Sequence, residues 1–224
     1  MERQLARMKI LVISNMYPRF LGGNFVHEQI RHLMDRGCEA KVIVPVPYCP
    51  GILGGIERWK VYANIPHDAD IDNVPVRYPR YLRLRGRRFH ALSCYAQYAG
   101  IRNAARSIIQ EFKPDLIHAH AATAAGYLGL LLKDKYNIPL VCSMRGSDIN
   151  LYPRYGKNSM RLTKKVLAGA DRIVSVSNAL KTAANTIAKP KKEIRVVYNG
   201  CDVNAFVRNN ADRIRPMNPG PFFL

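Results

Sequence analysis

The stretch from Lys9 to Val46 most constrains the fold, because its pattern predicts a β-strand, a glycine-containing loop, a helix and a second strand. The run 10–13 is short, apolar and rich in β-branched residues, which favours a buried strand. Apolar residues then recur at helical spacing, with Asn24 placed to cap this helix and Gly37 to end it. Such a strand–helix–strand unit is right-handed and makes its two strands parallel.

Gly22 and Gly23 lie in the loop that follows the first predicted strand, at the sheet edge where open α/β sheets bind ligands. Paired glycines before a helix let backbone N–H groups approach an anion, and the helix dipole favours negative charge there. The spacing matches neither the dinucleotide fingerprint nor the P-loop, and the second strand carries no acid for a ribose, which argues against a nicotinamide cofactor. A tight turn without a ligand is the alternative interpretation.

Strands and helices continue to alternate after this unit, which predicts an α/β fold with a doubly wound, mostly parallel, Rossmann-like sheet. Predicted strands cover 74–78, 116–120, 139–144, 172–176 and 194–198, and predicted helices cover 91–112, 122–136, 157–169 and 177–188, the last capped by Ser177. Residues 56–73 show no regular pattern. We expect one domain over 1–207, with the proline-rich stretch 208–224 as a linker or tail.

Charge and cysteine content limit the partners and the compartment. The 35 Lys and Arg against 16 Asp and Glu give a net charge of +19, which favours an anionic partner. Five cysteines without a C-x-x-C pair argue against a zinc site and a disulfide framework, so a reducing cytoplasm is expected. No apolar run is long enough to cross a bilayer, and Met1 to Arg7 lacks a signal-peptide core.

The segment from Arg77 to Arg106 holds eight arginines and no acid, with leucines and aromatic residues interleaved among them. A solvated face, a phosphate-tracking surface and an interfacial membrane patch are the three interpretations. Stacking on single-stranded nucleic acid is a further alternative, ranked below the membrane because no nucleic-acid motif is present. The residues assigned to acceptor or membrane contact are Arg83, Arg85, Arg87 and Arg88.

Polar side chains that follow other predicted strands should gather at the same sheet edge as the glycine loop. His118 and His120 lie two apart on a strand and face the same side, a pair more typical of structure than of a metal site. Arg145 can grip a phosphate or carboxylate, and Asp148 can accept from sugar hydroxyls or cap the following segment. Asn199 begins an Asn-Gly turn signal.

Five motifs in order resemble the amino-terminal domain of family 4 glycosyltransferases, the retaining group with the GT-B fold. They are K-I-L-V-I-S-N-M-Y-P-R-F-L-G-G-N-F-V-H-E-Q from Lys9, P-D-L-I-H-A-H from Pro114, I-P-L-V-C-S-M-R-G-S-D-I-N from Ile138, A-D-R-I-V-S-V-S-N-A-L-K from Ala170 and V-V-Y-N-G-C-D-V-N-A-F from Val196. The details are most similar to members that build cell-surface polysaccharides, of the teichuronic-acid or exopolysaccharide kind.

The resemblance implies transfer of a sugar from a nucleotide-diphosphate sugar to a hydroxyl of a saccharide or lipid-linked acceptor, with retention and with no metal or cofactor. It places Gly22 and Gly23 near the donor diphosphate, with Asn199 beside them as a further donor contact. His120, Arg145 and Asp148 are the implied catalytic positions, although a histidine is usual where this chain has Arg145.

The family's Glu-x7-Glu motif, which belongs to a carboxyl-terminal nucleotide-sugar domain, does not occur in the 224 residues. We therefore expect weak or no turnover by this chain alone, and a separate carboxyl-terminal domain or subunit as a partner. Peripheral association with the inner face of the membrane is expected. A non-catalytic acceptor- or partner-binding module is the alternative, and a basic nucleic-acid-binding protein is a distant one.

Overall fold

The computed structural model describes residues 8–18, 21–49, 62–84 and 86–200. Its strands are β1 Lys9–Ser14, β2 Glu39–Ile43, β3 Val46–Pro47, β4 Asp68–Ile71, β5 Val74–Arg77, β6 Arg80–Tyr81, β7 Leu116–His120, β8 Leu140–Met144, β9 Arg172–Ser175 and β10 Arg195–Val196. Its α-helices are α1 Asn24–Met34, α2 His90–Phe112, α3 Ala124–Tyr136, α4 Ser147–Asn150, α5 Lys157–Gly169 and α6 Asn178–Ile187. Arg87–Phe89 and Tyr152–Tyr155 form short 3₁₀ helices.

The main sheet has eight strands in the order β10-β9-β8-β7-β1-β2-β5-β4. All neighbours are parallel except β4 and β5, which form an antiparallel hairpin at one edge. The predicted doubly wound α/β sheet is therefore confirmed. β3 and β6 make a separate two-stranded parallel ladder.

The core lies on both faces of the sheet because β1 alternates its apolar side chains between them. Ile10 and Val12 belong to a cluster with Val26 and Ile30 of α1. Leu11 and Ile13 belong to a larger cluster, which also holds buried residues of α2, α3 and α5. Burial on both faces explains why β1 is a continuous apolar run.

Three local predictions need correction. Asn24 is the first helical residue of α1, and Gly23, with φ of 90°, occupies the cap position without any side-chain hydrogen bond. The strand predicted to continue to Val46 ends at Ile43, and Val46 pairs with Arg80 in the separate ladder. The segment 56–73, which has no regular pattern, includes strand β4.

The helix predictions for the second half agree closely with the structure. α5 covers the predicted residues 157–169, and α2 ends at Phe112 because Lys113 turns left-handed before Pro114. Ser177 caps α6 as predicted, with its hydroxyl oxygen accepting from the Leu180 N–H at 3.2 Å.

Two hydrogen bonds, from Tyr17 to His27 and from His27 to Asp72, connect the start of α1 with the β4–β5 turn. The Tyr17 hydroxyl lies 2.8 Å from Nδ1 of His27, and Nε2 of His27 lies 2.9 Å from Oδ2 of Asp72. Tyr17 and His27 are buried, whereas Asp72 is largely exposed on the turn. Hydrogen bonding to His27 is the main reason why the pKa of Asp72 lies below its ordinary value.

Residues 1–7 and the predicted tail from 208 to 224 lie outside the described residues, as does Arg85. Among the residues that the structure describes, no helix is both long enough and apolar enough to cross a membrane.

Candidate active site

A cleft of about 660 Å³ opens where β1, β7 and β8 end. The chain leaving these three neighbouring strands supplies its floor, and α2 and the 3₁₀ helix Tyr152–Tyr155 supply part of its walls. Ser14, His120, Arg145 and Asp148 are among the lining residues. Parallel strands thus bring together the residues that the sequence analysis placed at this edge.

The glycine loop lies beside this cleft at the amino terminus of α1. Gly22 and Gly23 have φ values of 69° and 90°, in the left-handed region that glycine adopts without strain. A Cβ on Gly23 would lie 2.8 Å from the backbone carbon of Met16, so this position has no room for a side chain. Leu21, on one side of the glycines, and Phe25, on the other, line the cleft.

Asp148 is buried, and its carboxylate accepts hydrogen bonds from three backbone N–H groups of the cleft floor. Oδ2 accepts from the N–H of Ala122 at 2.6 Å, and Oδ1 accepts from the N–H groups of Arg145 and Gly146 at 3.0 and 2.7 Å. The carboxylate therefore joins the segment after β7 to the segment after β8. These contacts are those of a positioning residue, and the predicted contact of Asp148 with a sugar stays a prediction.

The guanidinium of Arg145 lies on the cleft floor and donates hydrogen bonds to three neutral acceptors. Nη1 donates to Oδ1 of Asn199 at 2.9 Å, and Nη2 donates to Oε1 of Gln29 at 2.9 Å and to Nδ1 of His120. Cζ of Arg145 lies over the Phe25 ring, 4.9 Å from the ring centroid. Burial is the main cause that lowers the pKa of Arg145.

The structure thus brings Arg145, His120, Asp148 and Asn199 into one cluster, as the topology predicted. Gln29, which sequence reasoning missed, lies on α1 one helical turn after Phe25, so both side chains can reach Arg145. That spacing was the available signal in the sequence. It becomes informative only once the structure places α1 beside the segment that follows β8.

His118 and His120 are both buried near the carboxyl end of β7, and His120 also lines the cleft. Their ring centroids are 4.2 Å apart, and Nε2 of His118 lies 2.8 Å from the Ser143 hydroxyl. Burial, with a contribution from Arg145, lowers the pKa of His118 to about 4. Burial also places the pKa of His120 well below its ordinary value, so both rings are neutral at pH 7. Within the described residues, no group of three or more His, Cys, Asp or Glu is arranged to hold a metal ion.

Acidification should destabilise the protein between about pH 6.5 and pH 4 because of His118. The unfolded chain takes up this proton near pH 6.5, whereas the folded chain takes it up only near pH 4. The unfolded state therefore binds more protons in this window, and the free energy of unfolding falls as the pH falls. Urea titrations at closely spaced pH values should show a shallower fall for His118→Gln than for the wild type. The exposed His67 provides the control His67→Gln, and an equally steep fall in the His118 variant would contradict this assignment.

The arginine segment divides between the cleft and the surface. Arg83 and Arg87 line the cleft, with Cζ of Arg87 5.6 Å from the centroid of the Tyr155 ring. Arg88 is exposed outside the lining, and Leu82 beside this segment is 71% exposed.

The eight-stranded sheet, with its cleft at the carboxyl ends of β1, β7 and β8, is a Rossmann-like α/β domain of the kind that forms one half of a GT-B fold. The chain belongs to Glycosyltransferase Family 4, whose family model matches residues 22–205. The family and fold expected from the five motifs are therefore confirmed.

Two curated relatives are glycosyltransferases by name, and a third is named as a synthase. Bacillus subtilis TuaC, named for teichuronic acid biosynthesis, is 28% identical over 187 residues, which cover 81% of this chain and 47% of TuaC. An uncharacterized glycosyltransferase of Methanocaldococcus jannaschii is 34% identical, with 86% of this chain and 47% of that protein covered. The Bacillus anthracis N-acetyl-alpha-D-glucosaminyl L-malate synthase is 23% identical, with 93% and 50% covered. This chain spans about half the length of these relatives.

Solved structures share the fold at low identity. Anabaena HepE, in complex with UDP-glucose, has a TM-score of 0.54 at 20% identity, with 88% of this chain and 45% of that chain covered. A UDP-N-acetylglucosamine 2-epimerase has a TM-score of 0.53 at 14% identity, with 86% and 48% covered.

Proposed function

We propose that this chain is the acceptor-side domain of a retaining glycosyltransferase that moves a sugar from a nucleotide-diphosphate sugar to a hydroxyl of a cell-surface polysaccharide precursor. The supporting observation is the cleft, which is lined by His120 and Arg145 and lies beside the glycine loop, in a chain that belongs to Glycosyltransferase Family 4. The name of TuaC supports the polysaccharide context. The reaction breaks the bond from the anomeric carbon to the diphosphate and forms a bond to the acceptor oxygen, which loses its proton.

We assign roles to the groups that the cleft brings together. The amino terminus of α1, which has no side-chain cap and is entered through Gly22 and Gly23, is proposed to face the donor diphosphate. Arg145 and His120 contact the substrate, Asn199 orients Arg145, and Asp148 fixes the floor beneath them. These groups suit electrostatic binding of the donor, so we propose that transfer needs neither a metal nor a cofactor.

The surface around Arg83, Arg87 and Arg88 is the proposed route to the acceptor. Exposed Leu82, Leu84 and Phe89 accompany these cations, a combination that suits the headgroup region of an anionic membrane. We propose that a lipid-linked acceptor reaches the cleft from there, at the cytoplasmic face. Nucleic acid is the less favoured partner.

A charge change at the glycine loop tests the donor role. Gly22 is exposed, and a Cβ at this position would meet only the Met16 Cε, at 3.9 Å. Gly22→Asp places a carboxylate where the diphosphate is proposed to lie, and we expect it to weaken nucleotide-sugar binding about tenfold or more. Gly22→Asn is the matched neutral control, because asparagine also tolerates this backbone conformation. Equal affinities of the two variants, measured by calorimetry with UDP-sugars, would count against the proposed donor contact.

Transfer itself is tested by following label from UDP-sugars into lipid-linked saccharide in membranes. The chain is assayed alone and together with the carboxyl-terminal half of Bacillus subtilis TuaC, since this chain matches 47% of that protein. We expect transfer in the combined reaction and little or none from the chain alone. Acceptor binding without any transfer in either reaction would instead support a non-catalytic binding module.

A further inference from the structure

Arg145 carries a positive charge on the cleft floor, where Asp148 is a nearby negative group that does not contact the guanidinium directly. Its three hydrogen-bond acceptors, Asn199, Gln29 and His120, are neutral groups. Among the described residues, no carboxylate lies within ion-pair distance of its guanidinium. Partly burying a cation with only neutral partners is unfavourable, because the protein does not replace the solvation that water provided.

The described cleft lining holds more cations than acids. Asp148 is the one acid among the described lining residues, and both of its oxygens accept backbone N–H groups. Its charge favours the charged form of Arg145, but Arg83 and Arg87 add two further cations to the same lining. Three cations against one acid favour an anionic ligand in this cleft.

Three hydrogen-bonding groups at the floor also lack partners within the described structure. They are Nε of Arg145, Nε2 of His120 and Oγ1 of Thr123. Because Nδ1 of His120 accepts from Arg145, the proton of the neutral ring lies on Nε2, which is a donor. His120 is 3% exposed and Thr123 is 1% exposed, so water does not readily satisfy these groups.

We propose that the floor formed by Arg145, His120 and Thr123 binds an anionic oxygen group of the substrate, either the carboxylate of an acidic sugar or a phosphate. The inference rests on the proposed sugar-transfer function and specifies its substrate class. A carboxylate or phosphate supplies both the missing negative charge and several acceptor oxygens. A neutral hydroxyl would satisfy one donor and leave three cations beside one carboxylate in the described lining, and a metal ion would be repelled by the guanidinium.

Phe25 restricts the approach of such a group. Cζ of Arg145 lies over the Phe25 ring, 4.9 Å from its centroid, so an anion has to reach the guanidinium from a direction that the ring does not occupy. Asn199 and Gln29 occupy other donors of the same guanidinium and hold its orientation. The side chain is therefore already oriented before the ligand binds, which reduces the entropy lost on binding.

Matched ligand pairs test the proposal with the 224-residue chain at fixed ionic strength. Methyl glucuronide and methyl glucoside differ by a carboxylate, as do UDP-glucuronate and UDP-glucose, and inorganic phosphate tests the other source. Arg145→Gln removes the charge and keeps a polar side chain. Arg145→Lys keeps the charge and loses the planar fork. Arg102→Gln, on the exposed face of α2, removes one charge elsewhere.

If a sugar carboxylate is bound, wild-type protein should prefer each glucuronate to its glucose partner by about 10- to 100-fold. Arg145→Gln should abolish that preference, Arg145→Lys should keep part of it, and Arg102→Gln should leave it intact. If a phosphate is bound, the two UDP-sugars should bind alike, and Arg145→Gln should weaken both together with inorganic phosphate.

The proposal is overturned if Arg145→Gln binds all five ligands as the wild type does, or if Arg87→Gln abolishes anion binding while Arg145→Gln does not. Should Arg145→Gln fail to fold, the wild-type preferences and Arg145→Lys decide the question in the same way. Anion binding without sugar transfer would contradict the proposed function and leave this inference standing. If the protein transfers a neutral sugar and substitution of Arg145 does not change the rate, the proposed function stands and this inference is contradicted.

Discussion

Asp148→Ala is expected to lower the free energy of unfolding by about 2 to 4 kcal/mol, since the buried N–H of Ala122 would lose its acceptor at about 1 to 3 kcal/mol and two part-buried N–H groups would lose theirs at a smaller cost. These N–H groups belong to Ala122, Arg145 and Gly146, and they belong to two separate segments of the cleft floor. Without the carboxylate, the segments after β7 and β8 have no common acceptor. Urea denaturation, extrapolated linearly to water, measures the loss.

Two further variants separate this role from a general charge effect. Asp148→Asn keeps one acceptor oxygen but introduces an N–H₂ group opposite backbone donors, so a smaller loss is expected. Asp134→Asn changes an exposed carboxylate on α3 and should stay within about 0.5 kcal/mol of the wild type. A loss in Asp148→Ala no larger than that in Asp134→Asn would refute the positioning role.

Gly23→Ala should cost about 2 to 4 kcal/mol, from a strained left-handed backbone and a clash with the chain itself. The added Cβ would lie 2.8 Å from the carbonyl carbon and 2.9 Å from the oxygen of Met16, neither of which can rotate away as a side chain would. Relief of the clash has to move either Met16, which lines the cleft, or the start of α1. Thermal and urea unfolding of the variant measure the cost.

Gly22→Ala provides the comparison, because the backbone is also left-handed there but the space around a Cβ is open. Its cost should be close to the conformational cost alone, about 1 to 2 kcal/mol. If the two alanine variants are equally stable, the contact with Met16 does not restrict position 23.

The sequence allowed the sheet to be predicted because its signals are local. The apolar run at 10–13 and the Leu116-Ile117 pair that follows Pro114 and Asp115 are short and local, and a strand buried on both faces needs little else to be recognised. Strand β4 was missed because it lies at the sheet edge, where Asp68 and Asp70 are exposed and no apolar pattern is required. Its pairing with β5 depends on tertiary contacts.

The cleft could be predicted only as a set of residues at one edge. Topology alone placed Arg145 and His120 together, because both follow parallel strands. The role of Asp148 in holding backbone N–H groups, and the contact of Gln29 with Arg145, depend on the distance between segments that are far apart in the chain. No spacing in the sequence reports such a distance.

The hydrogen bonds from Tyr17 through His27 to Asp72 connect the antiparallel edge of the sheet with the loop beside the cleft. Tyr17 directly precedes the loop that carries the glycines, and its hydroxyl is anchored through a histidine to a carboxylate on a surface turn. The position of the start of α1 is therefore set partly by a hairpin on the far side of β2. Sequence changes in that hairpin can alter the cleft without touching any residue that lines it.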